Sequence, residues 1–96
     1  METLILTFTC KPDLGKDLLE AFKSALTDTR AYPGCLSVTT YTSATNPDDI
    51  VLIEEWDTRD SQIKYMQWRA DTGMSEQLGP LLAGPLKEEW LDSQNI

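Results

Sequence analysis

The chain has ninety-six residues, 8 basic and 16 acidic side chains, a net charge of −8 and no histidine; that length makes one domain around one core, with no room for a second. A surface so acidic repels phosphate backbones and anionic headgroups alike, so neither nucleic acid nor a membrane is an expected partner. Without histidine, Cys10 and Cys35 cannot complete a structural zinc set, and two thiols make no disulfide framework, so no metal is expected.

Met1-Glu2-Thr3 carries no basic stretch and leads directly into a strand pattern. No apolar run nears the roughly 20 residues needed to cross a bilayer. The expectation is a cytoplasmic domain spanning 1–96, with buried reduced thiols and a frayed tail over 92–96.

Residues 3–10 alternate, with Leu4, Leu6, Phe8 and Cys10 on one face and Thr3, Ile5, Thr7 and Thr9 on the other, which predicts a first strand. Pro12 suits a first helical turn, and Asp13 would place a carboxylate at its positive end. Leu14, Leu18, Phe22, Ala25, Leu26 and Thr29 then recur at helical spacing, predicting a helix over 13–30 with one buried stripe. Tyr32-Pro33-Gly34-Cys35 reads as a type II turn, with Pro presetting the first central dihedral and Gly supplying the positive φ of the next.

A second strand over 35–43 sets Leu36, Val38 and Thr40 against Ser37, Thr39 and Tyr41. Asn46-Pro47-Asp48 marks a polar hairpin turn in which Asp48 and Asp49 are expected to be solvated. The third strand, 49–56, places Ile50, Leu52, Glu54 and Trp56 on one face and Val51, Ile53 and Glu55 on the other. Thr58 or Asp57 can cap a second helix over 59–70, whose inward stripe is expected to include Ile63, Met66 and Ala70. Gly73 stops it. A short helix near 74–82, interrupted by Gly79-Pro80, and a last strand over 85–91 complete the chain.

Strand, helix, strand, strand, helix, strand is the order of a ferredoxin-like α+β sandwich with an antiparallel sheet. Its helices cover one sheet face. Ile5, Tyr41, Val51 and Ile53 point to the other, and a sheet apolar on both sides needs a second cover. A second copy packed sheet to sheet is the simplest supplier, so a homodimer is expected.

Trp56, Tyr65, Trp68 and Arg69 fall within fourteen residues of an otherwise aromatic-poor chain. Large rings with a few placed polar groups suit a pocket for a flat, apolar, oxygen-bearing ligand. The bland readings stand beside that one. Trp at such a position is most often a core or interface anchor, Tyr65 and Trp68 serve equally as the helix's contact with the sheet or a partner chain, and Arg69 as an ion-pair partner of Asp71, Glu76 or a residue across the dimer.

Tyr32-Pro33-Gly34-Cys35, then Glu54-Glu55-Trp56-Asp57, then Tyr65-Met66-Gln67-Trp68-Arg69 and Gly73, in this order and spacing, resemble the antibiotic biosynthesis monooxygenase domain of the dimeric α+β barrel superfamily. The resemblance runs from Leu4 to about Trp90. It implies a homodimer with sheets packed face to face and a pocket in each subunit between sheet and helices. It also implies oxidation of electron-rich phenols, anthrones or quinols by dioxygen without metal, haem or flavin. Family members often carry His where Tyr65 stands, and the haem-degrading relatives depend on a histidine ligand that this chain lacks.

Such chemistry requires a substrate that itself gives up an electron to triplet dioxygen, which an anion does far more readily than its neutral acid. The protein then deprotonates, positions and stabilises. With histidine missing, proton transfer falls to a carboxylate of raised pKa, a Tyr, a water or the substrate's own acidity. On this reading Tyr65, Trp68 and Arg69 are the candidate catalytic residues, with Arg69 stabilising an oxyanion. Trp56, Tyr41 and Glu54 are the candidate substrate-binding residues. The alternative is a non-catalytic dimer of the same fold that binds a small apolar metabolite or serves in stress. An isomerase or decarboxylase on this scaffold has no distinguishing residue.

Overall fold

Alternating apolar positions in the first and third strands produce the central feature of the computed structural model, which describes residues 1–96. The elements are β1 (Glu2–Thr9), α1 (Gly15–Ala31), β2 (Cys35–Thr42), β3 (Asp49–Trp56), α2 (Arg59–Asp71), α3 (Met74–Leu78), a 3-10 turn (Gly79–Leu81) and β4 (Lys87–Leu91). The sheet is antiparallel in the order β2-β3-β1-β4, with Ile5 opposite Ile53 and Leu6 opposite Leu52. This is the ferredoxin-like α+β fold, with β1 and β3 central and the helices on one face.

That face carries the core. Leu4, Leu6, Phe8, Ile50 and Leu52 meet Leu18, Phe22 and Leu26 of α1, and the Phe8 and Phe22 rings pack edge to face at 5.3 Å. The predicted inward sets of β1 and β3 are therefore the buried ones; of the α1 stripe, Leu18, Phe22, Leu26 and Thr29 are buried, and Leu14 and Ala25 half-buried. Leu36 is not: a bulge between Cys35 and Ser37 turns it outward, leaving it 55% exposed. At the preceding turn Cys35 N–H donates to Tyr32 C=O at 3.0 Å and Gly34 has φ +95°, as a type II turn requires.

The start of α1 departs from expectation in a useful way. The helix begins at Gly15, and Asp13, at φ 68°, lies in the turn before it. Asp48, expected to be solvated, instead accepts from the Asp13 and Gly15 N–H groups at 3.0 and 2.9 Å. A carboxylate from the β2–β3 hairpin thus caps α1 across the fold, where the helix dipole favours negative charge. After α3, Leu82 bridges Cys10 and Ala83 N–H donates to Thr9 C=O at 2.8 Å. This ties the segment before β4 to the end of β1. No helix is long and apolar enough to cross a membrane.

Candidate functional site

Helix α2 faces the sheet with a polar stripe. Gln62, Tyr65 and Arg69 are buried, whereas Ile63, expected inside, is 59% exposed. Its few apolar residues do not outweigh what Tyr65 and Arg69 gain by pairing internally. Thr58 caps the helix by accepting from Ser61 N–H. Of the expected stripe, Met66 and Ala70 border a hollow rather than the packed core.

That hollow lies between the sheet and the helices, a partly enclosed cavity of about 210 Å³ with mostly apolar walls. Phe8 and Leu52 supply the sheet side, Phe22 and Leu26 come from α1, and Met74 and Leu78 from α3. Its polar wall is made by Glu54, Tyr65, Arg69 and Thr29, with Ser75 at the α3 side. Small-molecule sites commonly run from about 300 to 1,000 Å³, so this cavity lies below the usual range.

Tyr65, Arg69 and Thr29 form one buried network. Arg69 Nε–H donates to the Tyr65 hydroxyl at 2.7 Å, and Nη2 donates to Ala25 C=O at 2.6 Å and to Thr29 Oγ1 at 3.2 Å. Thr29 Oγ1 lies 2.5 Å from the Tyr65 hydroxyl and donates to Ala25 C=O at 3.2 Å. The guanidinium also lies over the Trp68 ring, 4.6 Å from its centroid. It forms no ion pair with Asp71 or Glu76, and Asp71 instead accepts from Gln67. Arg69 thus cross-links α2 to the last turns of α1.

Glu54 borders the same cavity and is only 2% exposed. Its Oε1 accepts from Trp56 Nε1–H at 2.9 Å, and no Lys or Arg lies within ion-pair distance. Burial pushes the Glu54 carboxyl above its usual range; the indole hydrogen bond partly offsets this, and the Glu88 charge adds to it. A carboxylate so placed can take a proton from a weakly acidic ligand.

Three of the six candidate residues, Glu54, Tyr65 and Arg69, therefore border one cavity. Trp56 is fully buried behind it, its ring 5.3 Å from that of Tyr65, and it reaches the site through Glu54. Trp68 is half-buried and packs on Tyr32 and Arg69 outside the cavity. Tyr41 pairs with Val51 on the sheet face away from the helices and is 52% exposed. It does not reach the cavity, because alternation along β2 aims it the other way. Burial raises both cysteines above their usual range, and neither borders the cavity.

Thr29 is the site residue that sequence reading left in the packing stripe of α1. A lone hydroxyl among Leu18, Phe22 and Leu26 was the available signal, since a buried hydroxyl needs a partner.

The model of the antibiotic biosynthesis monooxygenase family matches residues 1–73. Among solved structures, a Nitrosomonas europaea protein carrying a provisional antibiotic biosynthesis monooxygenase name superposes with TM-score 0.85 at 20% identity, over 98% of this chain and 99% of that one. PA3566 from Pseudomonas aeruginosa gives 0.82 at 22%, over 96% and 92%. Rv0793 from Mycobacterium tuberculosis gives 0.75 at 28%, over 99% and 96%. No curated protein matches the chain.

Proposed function

This chain belongs to the antibiotic biosynthesis monooxygenase family, and from that premise we propose that it is a cofactor-independent monooxygenase, working as a homodimer, that oxidises a small phenol, anthrone or quinol with dioxygen. One observation carries the reading: Glu54, a buried carboxylate with no Lys or Arg within ion-pair distance, lines the same mostly apolar cavity as Tyr65 and Arg69. The cavity volume of about 210 Å³ favours single-ring phenols and quinols within that class.

In the proposed reaction Glu54 takes the phenolic proton, and the phenolate gives one electron to dioxygen. Recombination at a ring carbon forms a C–O bond, and the peroxide oxygen takes the proton back. Loss of the ring C–H proton with O–O cleavage leaves a carbonyl and releases water. The substrate supplies all four electrons, so no external reductant is required. The protein's part is to hold the proton, exclude bulk water and place the ring.

A second reading, ligand binding without turnover, has its own support. Arg69 spends Nε and Nη2 on Tyr65, Ala25 and Thr29, which leaves only the two Nη1 hydrogens for an oxyanion. Oxygen uptake by chelator-treated protein, with single-ring phenols, hydroquinones and anthrone, separates the two. Turnover that falls in Glu54→Gln, Tyr65→Phe and Arg69→Ala supports the monooxygenase chemistry. Saturable binding with no uptake above the uncatalysed rate establishes the second reading instead.

A further inference from the structure

We propose that Thr29 is a specificity-determining, positioning residue: it holds the Tyr65 hydroxyl hydrogen away from the cavity, so that Tyr65 meets a ligand as a hydrogen-bond acceptor. The inference deepens the ligand reading above and rests on it. It follows from counting hydrogens. Arg69 has donors only, so at 2.7 Å its Nε–H occupies one lone pair of the Tyr65 oxygen. The Tyr65 hydrogen then needs an acceptor, and Thr29 Oγ1 at 2.5 Å is the one in reach. Thr29 passes its own hydrogen to Ala25 C=O at 3.2 Å, so that every hydrogen in the chain has a partner.

The opposite arrangement, Thr29 donating to Tyr65, would turn the phenol hydrogen away from Thr29, and no other acceptor lies within hydrogen-bond distance of the Tyr65 oxygen. A buried donor without a partner is the costlier state. Thr29 is 1% exposed, so water does not compete for its oxygen. One lone pair of the Tyr65 oxygen remains for the cavity. A guest bearing an O–H donates to it directly, whereas a guest with only acceptor oxygens must first draw the phenol hydrogen off Thr29.

The test is a binding ratio that requires no turnover. Affinities of 4-methylphenol, a donor, and 4-methylbenzaldehyde, an acceptor only, are measured by calorimetry for the wild type, Thr29→Val, Thr29→Ser and Thr29→Ala. Removing the hydroxyl frees the Tyr65 hydrogen, so the donor-to-acceptor preference falls about tenfold in both Thr29→Val and Thr29→Ala. Thr29→Ser restores it. In a Tyr65→Phe background the same Thr29 substitutions leave the ratio unchanged. A ratio unmoved by Thr29→Val and Thr29→Ala, with both guests still bound, overturns the role of Thr29 and leaves the ligand cavity standing. If neither guest binds the wild type, the ligand cavity and this inference fall together.

Discussion

Trp56 and Glu54 stand two residues apart on one face of β3, and the Trp56 indole donates to the Glu54 carboxylate at 2.9 Å. Two-residue spacing along a strand brings side chains to the same side, and here it joins a core anchor to a cavity group. Packing of the indole against Tyr65 fixes its N–H, and the N–H fixes one carboxylate oxygen. The carboxylate stays within a predominantly apolar wall with a single neutral donor to support its charge.

Glu54→Gln keeps the shape and removes the proton acceptor. Turnover should fall by roughly 10²- to 10⁴-fold, the usual contribution of a positioned base, with binding of 4-methylphenol little changed. In the wild type, activity should rise with pH through an ionisation above the ordinary carboxylate range, because burial raises Glu54. Glu54→Gln should lack that limb, and Trp56→Phe, which removes the donor to the charged form, should move it to higher pH. A pH–rate profile of the three proteins checks this.

The same shift has a consequence for stability. Glu54 holds its proton more tightly folded than unfolded. Its contribution is therefore fully present below the unfolded carboxylate range and is lost as pH rises through the raised native value. Urea unfolding across that window should show a downward slope with pH in the wild type and a flatter one in Glu54→Gln.

Arg69→Lys keeps the charge yet should destabilise by about 1–3 kcal/mol, because an ammonium cannot serve Tyr65, Ala25 and Thr29 with the fixed fork of a guanidinium. The measurement is a lower urea midpoint at unchanged slope, which distinguishes lost stability from a change in the unfolded state.

Strand periodicity made the sheet legible: Leu4, Leu6 and Phe8, with Ile50 and Leu52, announce their own burial, and Trp56 and Glu54 follow on the same face. Helix α2 was less legible because its face was chosen by partners far away in sequence. Thr29 lies 36 residues from Tyr65, and no local pattern shows that Tyr65 and Arg69 would bury together in place of Ile63. Turn chemistry announced Gly34, whereas the bulge that expels Leu36 and the reach of Asp48 to α1 depend on tertiary placement. Glu54 was visible as a strand carboxylate, but its isolation from cations becomes apparent only once the helices are in place.

The approach of the hairpin to α1 gives a sharper test of that tertiary placement. Asp48→Ala should cost about 1 kcal/mol as a lost helix cap. Gly15→Ala should cost more, although alanine is the better helix former, because the new Cβ would meet Pro47 O at 2.4 Å and the Asp48 Cα at 2.8 Å. Removing the Asp48 side chain does not relieve the clash with Pro47, so Gly15→Ala should remain destabilising in the Asp48→Ala background. Thermal melts of the two single variants and the double variant read this directly.

The sheet face without helices carries Ile5 opposite Ile53, and Val51 between Thr7 and Tyr41. These side chains alternate with the buried set, so they project where no element of the same chain covers them. On the proposed dimer, a charge at the centre of this face should separate the subunits without touching the core. Light scattering at micromolar concentration should give about twice the 10.8 kDa chain mass for the wild type. Ile53→Lys should give the chain mass itself, with the near-ultraviolet signal of buried Trp56 retained. A monodisperse wild-type monomer would show that the strands bear these apolar side chains without pairing them. A dimer unaffected by Ile53→Lys would place the subunit contact on another face.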